Sequence, residues 1–408
     1  MAKFIKNTFI IFFILIIFTS KGFSQKSIII FKTDYSNNYM NYAIYDLIIK
    51  NIFLYSNLKI MNSYSNYSSY NKIKSQIKKI TINNNANISI AYQIQNFKNG
   101  ILINYIIFDN EKPNEWIEKS AYSREEDLFI SINKILKDIY EISKIKNKIT
   151  YIKEKDYISL LGYYSQKIIL TNNEDNIYKL FYDFHKDNIY FNIDYLEYLT
   201  DKSDRTSVDI INDLIKNMQN YINKKKNHYY LYSLGCMHYG KYKVNVILSD
   251  IEASIENYNK ALKLKNNYYK YYYRLANAYI LKNDYDNAIK YYEEAIKLNE
   301  YDINIIKEFV SLLKRDINKN GNEVISYLKK IIEINKNDEE ALEEISKLYE
   351  KIGDYDNALI YYNKLFEVIN YNLYIINNET KDADAYDRYI LKRNSIKLNI
   401  ESLNKKIF

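Results

Sequence analysis

YKYYYRLANAYILKNDYDNAIKYYEEAIKLNEYD, residues 269–302, is the stretch from which the fold can be predicted. Its first half has an apolar stripe at i, i+3, i+4 and i+7, formed by Tyr272, Leu275, Ala276 and Tyr279. Its second half repeats this helical spacing at Tyr285, Ala288, Ile289, Tyr292, Ala295 and Ile296. Asn283-Asp284 between the halves tolerates turn geometry. The stretch predicts a helical hairpin, which needs neighbours to bury both stripes.

Related stretches flank this hairpin at a regular distance. Residues 353–358 (GDYDNA) repeat the pattern of residues 283–288 (NDYDNA). The equivalent positions Ala288, Val324 and Ala358 follow each other at intervals of 36 and 34 residues. On the other side, Ala261 precedes Ala295 by 34 residues. A period of this length, with two helices in each repeat, predicts an α-helical solenoid.

These residues resemble the tetratricopeptide repeat (TPR) family. The family pattern falls on Tyr272, Leu275, Ala276, Tyr279, Ala288, Tyr292 and Ala295, and in the fourth unit on Leu342, Ile345, Ser346, Tyr349, Ala358 and Tyr362. The first unit, from Leu231 to Ala261, and the third, from Ile306 to Ile331, match less closely. Their corners are seven and two residues longer, the latter around Asn320-Gly321. The resemblance implies four TPR-like units over residues 228–372.

The amino-terminal residues have the pattern of a secretory signal peptide. Lys3 and Lys6 precede the apolar run Thr8–Phe18, and Gly22-Phe23-Ser24 supplies small residues for cleavage. The run is short for a membrane span, which takes about 20 residues. We expect residues 1–25 to be removed, so that the mature chain starts near Gln25. An uncleaved membrane anchor is the alternative.

Residues 26–145 have a different hydrophobic pattern from the repeats. Short apolar or alternating runs predict strands, and longer amphipathic runs predict helices, in the order βαβα, three strands, then α. The elements are Ser27–Phe31, Tyr39–Leu54, Leu58–Asn62, Tyr70–Ile80, Ala86–Gln95, Gly100–Asp109, Trp116–Tyr122 and Glu125–Ile142. This order predicts an α+β domain before the all-α solenoid. The order and the closing residues 116–129 are similar to the amino-terminal domain of the periplasmic protein TolB.

Two further segments complete the predicted organisation. Residues 146–227 have irregular helical patterns and are interpreted as divergent TPR-like helices, with a hairpin formed around Tyr195 and Val208–Ile222. Residues 380–408 contain a last amphipathic helix, Asp382–Lys405. A terminal helix of this kind commonly covers the open end of a solenoid.

Composition limits the function classes. The chain has 408 residues, 47 of them tyrosine, and is rich in residues with A/T-rich codons, so the tyrosines are not taken as a ligand signal. The formal charge of +8 is dispersed, with Lys224-Lys225-Lys226 as the one basic cluster, which disfavours nucleic-acid binding. One cysteine, Cys236, excludes an internal disulfide.

The sequence lacks the usual motifs for catalysis, metal binding and cofactor binding. Cys236 and His238 have no matching pair at zinc spacing, and His238 is better explained by core packing. The seven glycines form no phosphate-binding loop and no Gly-x-Ser-x-Gly elbow. Asp382, Asp384 and Asp387 lack the glycine and closing glutamate of a calcium loop. We therefore predict a protein without enzymatic activity, cofactor or metal.

The TPR resemblance implies a ligand groove along the first helix of each unit. The residues on that face are Tyr229, Tyr232, Cys236 and Tyr239, then Lys270, Tyr273, Asn277 and Ile280, then Asn304, Lys307, Ser311 and Lys314, then Glu340, Glu343, Lys347 and Glu350. The predicted partner-binding residues are Tyr229, Tyr232, Tyr239, Tyr273, Asn277, Ile280, Lys307 and Lys314. The tyrosines would anchor an apolar side chain, and the lysines would meet acidic groups. The alternative is an ordinary surface.

These features together predict an exported, non-catalytic scaffold of the bacterial periplasm or cell envelope that binds a protein or peptide in the solenoid groove. A carbohydrate- or peptidoglycan-binding envelope protein is the alternative, suggested by tyrosines on an exported protein. A cytosolic regulatory module would require the signal peptide to be misread. We expect no nucleic acid as partner, and a membrane only through the amino-terminal segment if it is uncleaved. The sequence does not indicate the oligomeric state.

Overall fold

The computed structural model describes residues 26–30, 39–56, 58–62, 70–83, 86–97, 100–113, 116–124, 127–144, 188–218, 227–380 and 382–407, with isolated residues between 152 and 182. The predicted signal peptide lies outside the described residues. The chain divides into two compact units, one ending at Ala278 and one beginning at Tyr279. Among the described residues, no helix is long and apolar enough to cross a membrane.

The first unit begins with a five-stranded sheet in the order β2-β1-β3-β4-β5. Its elements are β1 (Ser27–Ile30), α1 (Tyr39–Tyr55), β2 (Lys59–Asn62), α2 (Tyr70–Asn83), β3 (Ile88–Phe97), β4 (Gly100–Asp109), β5 (Trp116–Ser123) and α3 (Leu128–Ile142). The strand β1 pairs in parallel with β2 and β3, whereas β3–β4 and β4–β5 are antiparallel. The predicted order of elements is therefore confirmed.

Helices cover both faces of this sheet. On one face, Ile29, Ala91 and Ile106 form a buried cluster with Ile77 of α2. On the other, the Tyr105 hydroxyl of β4 donates to Asp138 of α3 at 2.6 Å. Because successive strand residues point to opposite faces, the almost wholly apolar sequences of β1 and β4 match a sheet that is covered twice.

The remaining helices of the first unit are α4 (Ile189–Lys202), α5 (Arg205–Met218), α6 (His228–Asn245), α7 (Leu248–Leu264) and most of α8 (Tyr269–Leu281). The helices α4 and α5 form the hairpin predicted between Tyr195 and Ile222. Both pack against α6, and α6 also packs against α7. The helix α6 is thus enclosed on several sides.

Buried lysines connect the sheet domain with these helices. Lys50 of α1 forms an ion pair of 2.9 Å with Asp194 of α4. The Lys265 ammonium, after α7, donates to the carbonyl oxygens of Phe53 and Ser56 at 2.6 and 2.8 Å. A cation at the carboxyl end of α1 satisfies carbonyls that the helix leaves unpaired.

The second unit continues with α9 (Tyr285–Leu298), α10 (Ile303–Leu313), α11 (Ile317–Ile334), α12 (Glu339–Lys351), α13 (Tyr355–Ile375) and α14 (Ala383–Ile407). An aspartate caps each of α9 to α13 by accepting a backbone N–H of the first turn; these are Asp284, Asp302, Asp316, Asp338 and Asp354. Such caps fix where each helix begins. The last helix, α14, packs against α13, where a terminal helix was predicted.

The repeat period is visible in the side-chain packing. Tyr279 stacks on Tyr291 with ring centroids 5.4 Å apart, and Tyr349 stacks on Tyr361 at 5.8 Å. The two pairs lie 70 residues apart in the sequence, as the second and fourth predicted units do. The predicted fold class, an α+β region followed by a helical repeat region, is confirmed.

The two predicted long corners are wrong in detail. Asn320 and Gly321 lie inside α11, because the chain turns earlier, in a 3-10 turn at Lys314–Asp316. Asp316 caps α11, and the Asn320 amide donates to the Leu313 carbonyl at 3.0 Å, which closes the turn. In the first unit only Val246 and Ile247 separate α6 from α7, so the inserted residues extend the helices.

Candidate functional site

A cavity of about 420 Å³ lies between α11 and α12 in the second unit; we call it the α11–α12 cavity. Its lining residues are Lys314, Ile317, Val324, Leu328, Glu344, Lys347, Leu348 and Lys351. Lys314 and Lys347 belong to the predicted groove face of the third and fourth units. The predicted groove and the cavity therefore overlap.

The floor of the cavity is apolar because of helical spacing. Val324 and Leu328 are four residues apart on α11, and both are buried. Ile317, two turns before Val324 on the same face, and Leu348 of α12 are half-buried and complete the floor. The half-buried Ile317 and Leu348 leave part of this apolar floor accessible to a large aliphatic or aromatic side chain.

The rim of the cavity is charged. The Lys314 ammonium lies 2.6 Å from the Glu344 carboxylate and so links the end of α10 to α12. Lys347 forms an ion pair with Glu343 along α12. Lys351 completes the rim, and the described part of the chain contains no ion pair to it. Three lysines face one glutamate among the lining residues, which favours an anionic group at the rim.

Lys307 lies on the same face of α10, about two turns before Lys314. Its ammonium is 2.8 Å from Glu340 and 3.0 Å from Asp338. Partial burial favours the neutral amine, but the two carboxylates outweigh burial and hold the pKa of Lys307 above its usual range. Lys307 and Lys314 are therefore already engaged with acidic residues of α12.

The predicted groove face changes its accessibility along the chain. In the first repeat unit, Tyr229, Tyr232 and Tyr239 are only 1%, 0% and 8% exposed. In the second repeat unit, Tyr273, Asn277 and Ile280 are half-buried, as is Lys270. In the third and fourth units none of the eight face residues is buried.

The expectation that the first-unit tyrosines form an exposed surface is therefore wrong. The reason is that α4 packs on α6 and covers this face. The Tyr229 hydroxyl donates to the Asn192 carbonyl at 3.2 Å, and the Tyr232 hydroxyl donates to Glu197 at 2.5 Å. The carbohydrate-binding alternative also needs accessible tyrosines, and these three do not supply them.

A buried charge network stands where the aromatic part of the groove was predicted. The Arg274 guanidinium, 2% exposed, donates to Glu197 at 2.8 Å and also to Asp201. Lys270 lies 3.6 Å from Glu197. Burial raises the pKa of Glu197, but Lys270 and Arg274 outweigh burial and lower it below the usual value. The network joins α8 to α4.

Sequence reasoning missed the residues that decide this arrangement. Glu197, Asp201 and Arg274 lie outside the apolar stripes, and no periodic signal paired α4 with α6. The floor of the cavity had a signal that was not used, since Ile317, Val324 and Leu328 recur at helical spacing. Within the described residues, no group of three or more histidine, cysteine, aspartate or glutamate residues could hold a metal ion.

Comparisons with known proteins address the repeats directly. Residues 269–302 and 339–372 each match the tetratricopeptide repeat family. These are the second and fourth units predicted from the sequence. The chain therefore contains tetratricopeptide repeats. No curated protein matches the chain.

Several solved structures are similar to part of the chain. One is MamA, with 22% identity over 40% of this chain and 91% of that chain, at a TM-score of 0.32. Another is YrrB, described as a TPR protein with an unusual peptide-binding site. It has 16% identity over 46% of this chain and 89% of that chain, at a TM-score of 0.29. Similarity this low does not carry a function from these proteins to this chain.

Proposed function

We propose that this chain, which contains tetratricopeptide repeats, is a non-catalytic scaffold that binds a polypeptide through its third and fourth repeat units. The observation that carries the proposal is the α11–α12 cavity, with its apolar floor and lysine-rich rim. The exposed face of α10 and α12 continues from the rim. A peptide lying along that face could place one side chain in the cavity.

The cavity defines the chemistry of the ligand. Its volume of about 420 Å³ lies in the range typical of pockets for small ligands, about 300–1,000 Å³, and exceeds one large side chain. We expect a leucine, isoleucine, methionine or phenylalanine of the ligand to contact Ile317 and Leu348, the accessible part of the floor. An aspartate, glutamate or terminal carboxylate next to that residue would meet Lys347 and Lys351. Such a ligand joins an apolar anchor to a charged rim.

The internal ion pairs set the salt dependence. Lys314 must exchange Glu344 for an acidic group of the ligand, so its net contribution to affinity is small. Lys351 has no such exchange to make. Removing the charge of Lys351 should therefore weaken binding at low salt more than removing that of Lys314.

We place this scaffold in the periplasm or cell envelope. The support is the sequence pattern of residues 1–25 and the resemblance of the sheet domain to the amino-terminal domain of TolB. Sequencing the amino terminus of protein recovered from cells tests the location. A start near Gln25 is expected, and an intact Met1 in a soluble cytoplasmic fraction would contradict export.

A displayed random-peptide library selected against the full chain tests peptide binding. We expect enriched peptides to have a large apolar residue beside one or two acidic residues. The affinity of a selected synthetic peptide is then measured for the parent and for Leu348→Ser. Truncating this half-buried floor residue should weaken binding at least about tenfold, because an apolar anchor can contribute several kcal/mol.

Leu398→Ser is the matched control. Leu398 is 65% exposed on α14 and does not line the cavity, so this variant should bind like the parent. Thermal unfolding of both variants shows whether the fold is retained. Equal loss of binding in the two variants, or a selection that enriches no peptide dependent on Leu348, would contradict the assignment of the cavity.

A further inference from the structure

The corner between α6 and α7 exposes three consecutive aliphatic side chains. Val246, Ile247 and Leu248 are 70%, 51% and 59% exposed. Large apolar residues are commonly exposed one at a time, but three in sequence at the end of a hairpin form a continuous apolar tip. We call these three residues the α6–α7 tip.

The inserted residues of the first repeat unit build this tip. The helix α6 has 18 residues, whereas α8 and α12, the first helices of the second and fourth units, have 13 each. At a rise of 1.5 Å per residue, the five additional residues lengthen the helix by about 7–8 Å. The insertion thus makes a longer hairpin whose end is apolar.

The residue at the tip does not suit the left-handed backbone conformation there. Val246 ends α6 in the left-handed region, with φ of 56°. At the corners of the second and fourth hairpins the left-handed residues are Asn283 and Gly353, which tolerate that region. A β-branched side chain is sterically disfavoured there. The apolar side chain at position 246 is therefore not explained by the local fold.

Two basic residues precede the tip on α6, and a third lies on the neighbouring helix α5. Lys241 and Lys243 lie in the last turns of α6, and Arg205 begins α5, whose Val208 packs beside Gly240 of α6. The described part of the chain contains no ion pair to any of these three cations. Two acids in this region already have partners, since Asp250 shares a hydrogen bond with His238 and Asp204 forms an ion pair with Lys202.

We propose that the α6–α7 tip inserts into the interface of a membrane that contains anionic lipids. A convex aliphatic tip buries its side chains among acyl chains without needing a complementary groove. The long side chains of Lys241, Lys243 and Arg205 reach the headgroup phosphates from the sides of the tip. The tip is independent of the peptide site, because the tip and its three cations all lie in the compact unit that ends at Ala278.

A fluorescent label at the tip tests the proposal. In the full chain, Ile247→Cys is labelled with an environment-sensitive fluorophore; the native Cys236 is buried and its thiol pKa is raised to about 11, so it reacts poorly. Ile352→Cys, at the 57% exposed corner residue of the fourth repeat, is the matched control. We expect a blue shift on adding vesicles of phosphatidylcholine with phosphatidylglycerol for the label at 247 alone.

Further variants test both parts of the surface. Adding Val246→Ser and Leu248→Ser to the labelled chain should weaken the vesicle affinity at least about tenfold, since apolar burial supplies most of the insertion energy. Adding Lys241→Glu and Lys243→Glu should weaken it on phosphatidylglycerol vesicles only. Unchanged affinity in either variant, an equal shift at position 352, or no shift at 247 would overturn the proposal. A shift at 247 that grows with protein concentration without vesicles would overturn it in favour of contact between copies of the chain.

Discussion

The helices α6 and α12, which begin the first and fourth repeat units, differ in how far the same face is exposed to solvent. On α6 the predicted groove residues Tyr229, Tyr232, Cys236 and Tyr239 are all buried. On α12 the equivalent residues Glu340, Glu343, Lys347 and Glu350 are all at least partly exposed. The repeat pattern is shared, but only one of these faces remains available to a ligand.

The difference comes from the neighbours of each helix. The helix α4 packs on the face of α6, where Glu197 accepts hydrogen bonds from the Tyr232 hydroxyl and the Arg274 guanidinium. Beside α12, Lys307 and Lys314 reach Glu340 and Glu344 through ion pairs at the surface. A repeat register thus identifies the face of a helix, and the packing of other helices decides whether that face is a core or a binding surface.

The largest expected effect comes from breaking the buried network. Glu197→Gln removes the charge that compensates Arg274 and Lys270 in the core. Lys270 then loses this carboxylate and Arg274 keeps only the exposed Asp201, so the free energy of unfolding should fall by about 3–5 kcal/mol. Chemical denaturation of the variant and the parent measures this difference.

Glu344→Gln is the matched change in the exposed region. It removes the partner of Lys314 at the cavity rim, where solvent screens both charges. The free energy of unfolding should fall by about 0–1 kcal/mol. If both substitutions lowered the free energy of unfolding equally, Glu197 would be as solvated as Glu344. The face of α6 would then not differ from that of α12 in burial.

The buried network also makes stability depend on pH. Although burial raises the pKa of Glu197, Lys270 and Arg274 hold it below the unfolded value of about 4.5. A carboxylate with a lowered pKa in the folded state contributes stability above the unfolded pKa, and loses it as the pH falls below that value. Denaturation curves across acidic pH should show a smaller loss for Glu197→Gln than for the parent. A slope unchanged by the substitution would contradict the assigned role of Glu197.

Two glycines provide a smaller contrast. A Cβ added at Gly235 of α6 would lie 2.4 Å from the ring of Tyr258, whereas one added at Gly321 of α11 meets nothing within 4 Å. Gly235→Ala should therefore cost about 1–3 kcal/mol through overpacking. Gly321→Ala should stabilise by about 0.5–1 kcal/mol, because alanine favours a helix interior. Thermal unfolding of both variants checks the opposite signs.

The sequence predicted most of the fold and less of the site. Hydrophobic periodicity located the elements of the sheet domain, and the repeat pattern of Ala288 and Ala358 located the hairpins. The site depends on contacts between helices far apart in the sequence, such as Tyr232 with Glu197, and periodicity within one helix does not report them. The corner at Lys314–Asp316 was misplaced because Asn320-Gly321 looked like a turn, whereas Asp316 as an N-cap begins the helix earlier.

Hydrogen–deuterium exchange with a selected peptide can show whether the ligand binds at the α11–α12 cavity or on the face of α6. Amide exchange is followed in the full chain, with and without a saturating amount of the peptide from the library. Bound peptide should slow exchange in residues 314–351, which contain the cavity, and leave exchange in α6 unchanged. Slower exchange confined to residues 228–245 would show that the ligand binds the face of α6, and would contradict the account.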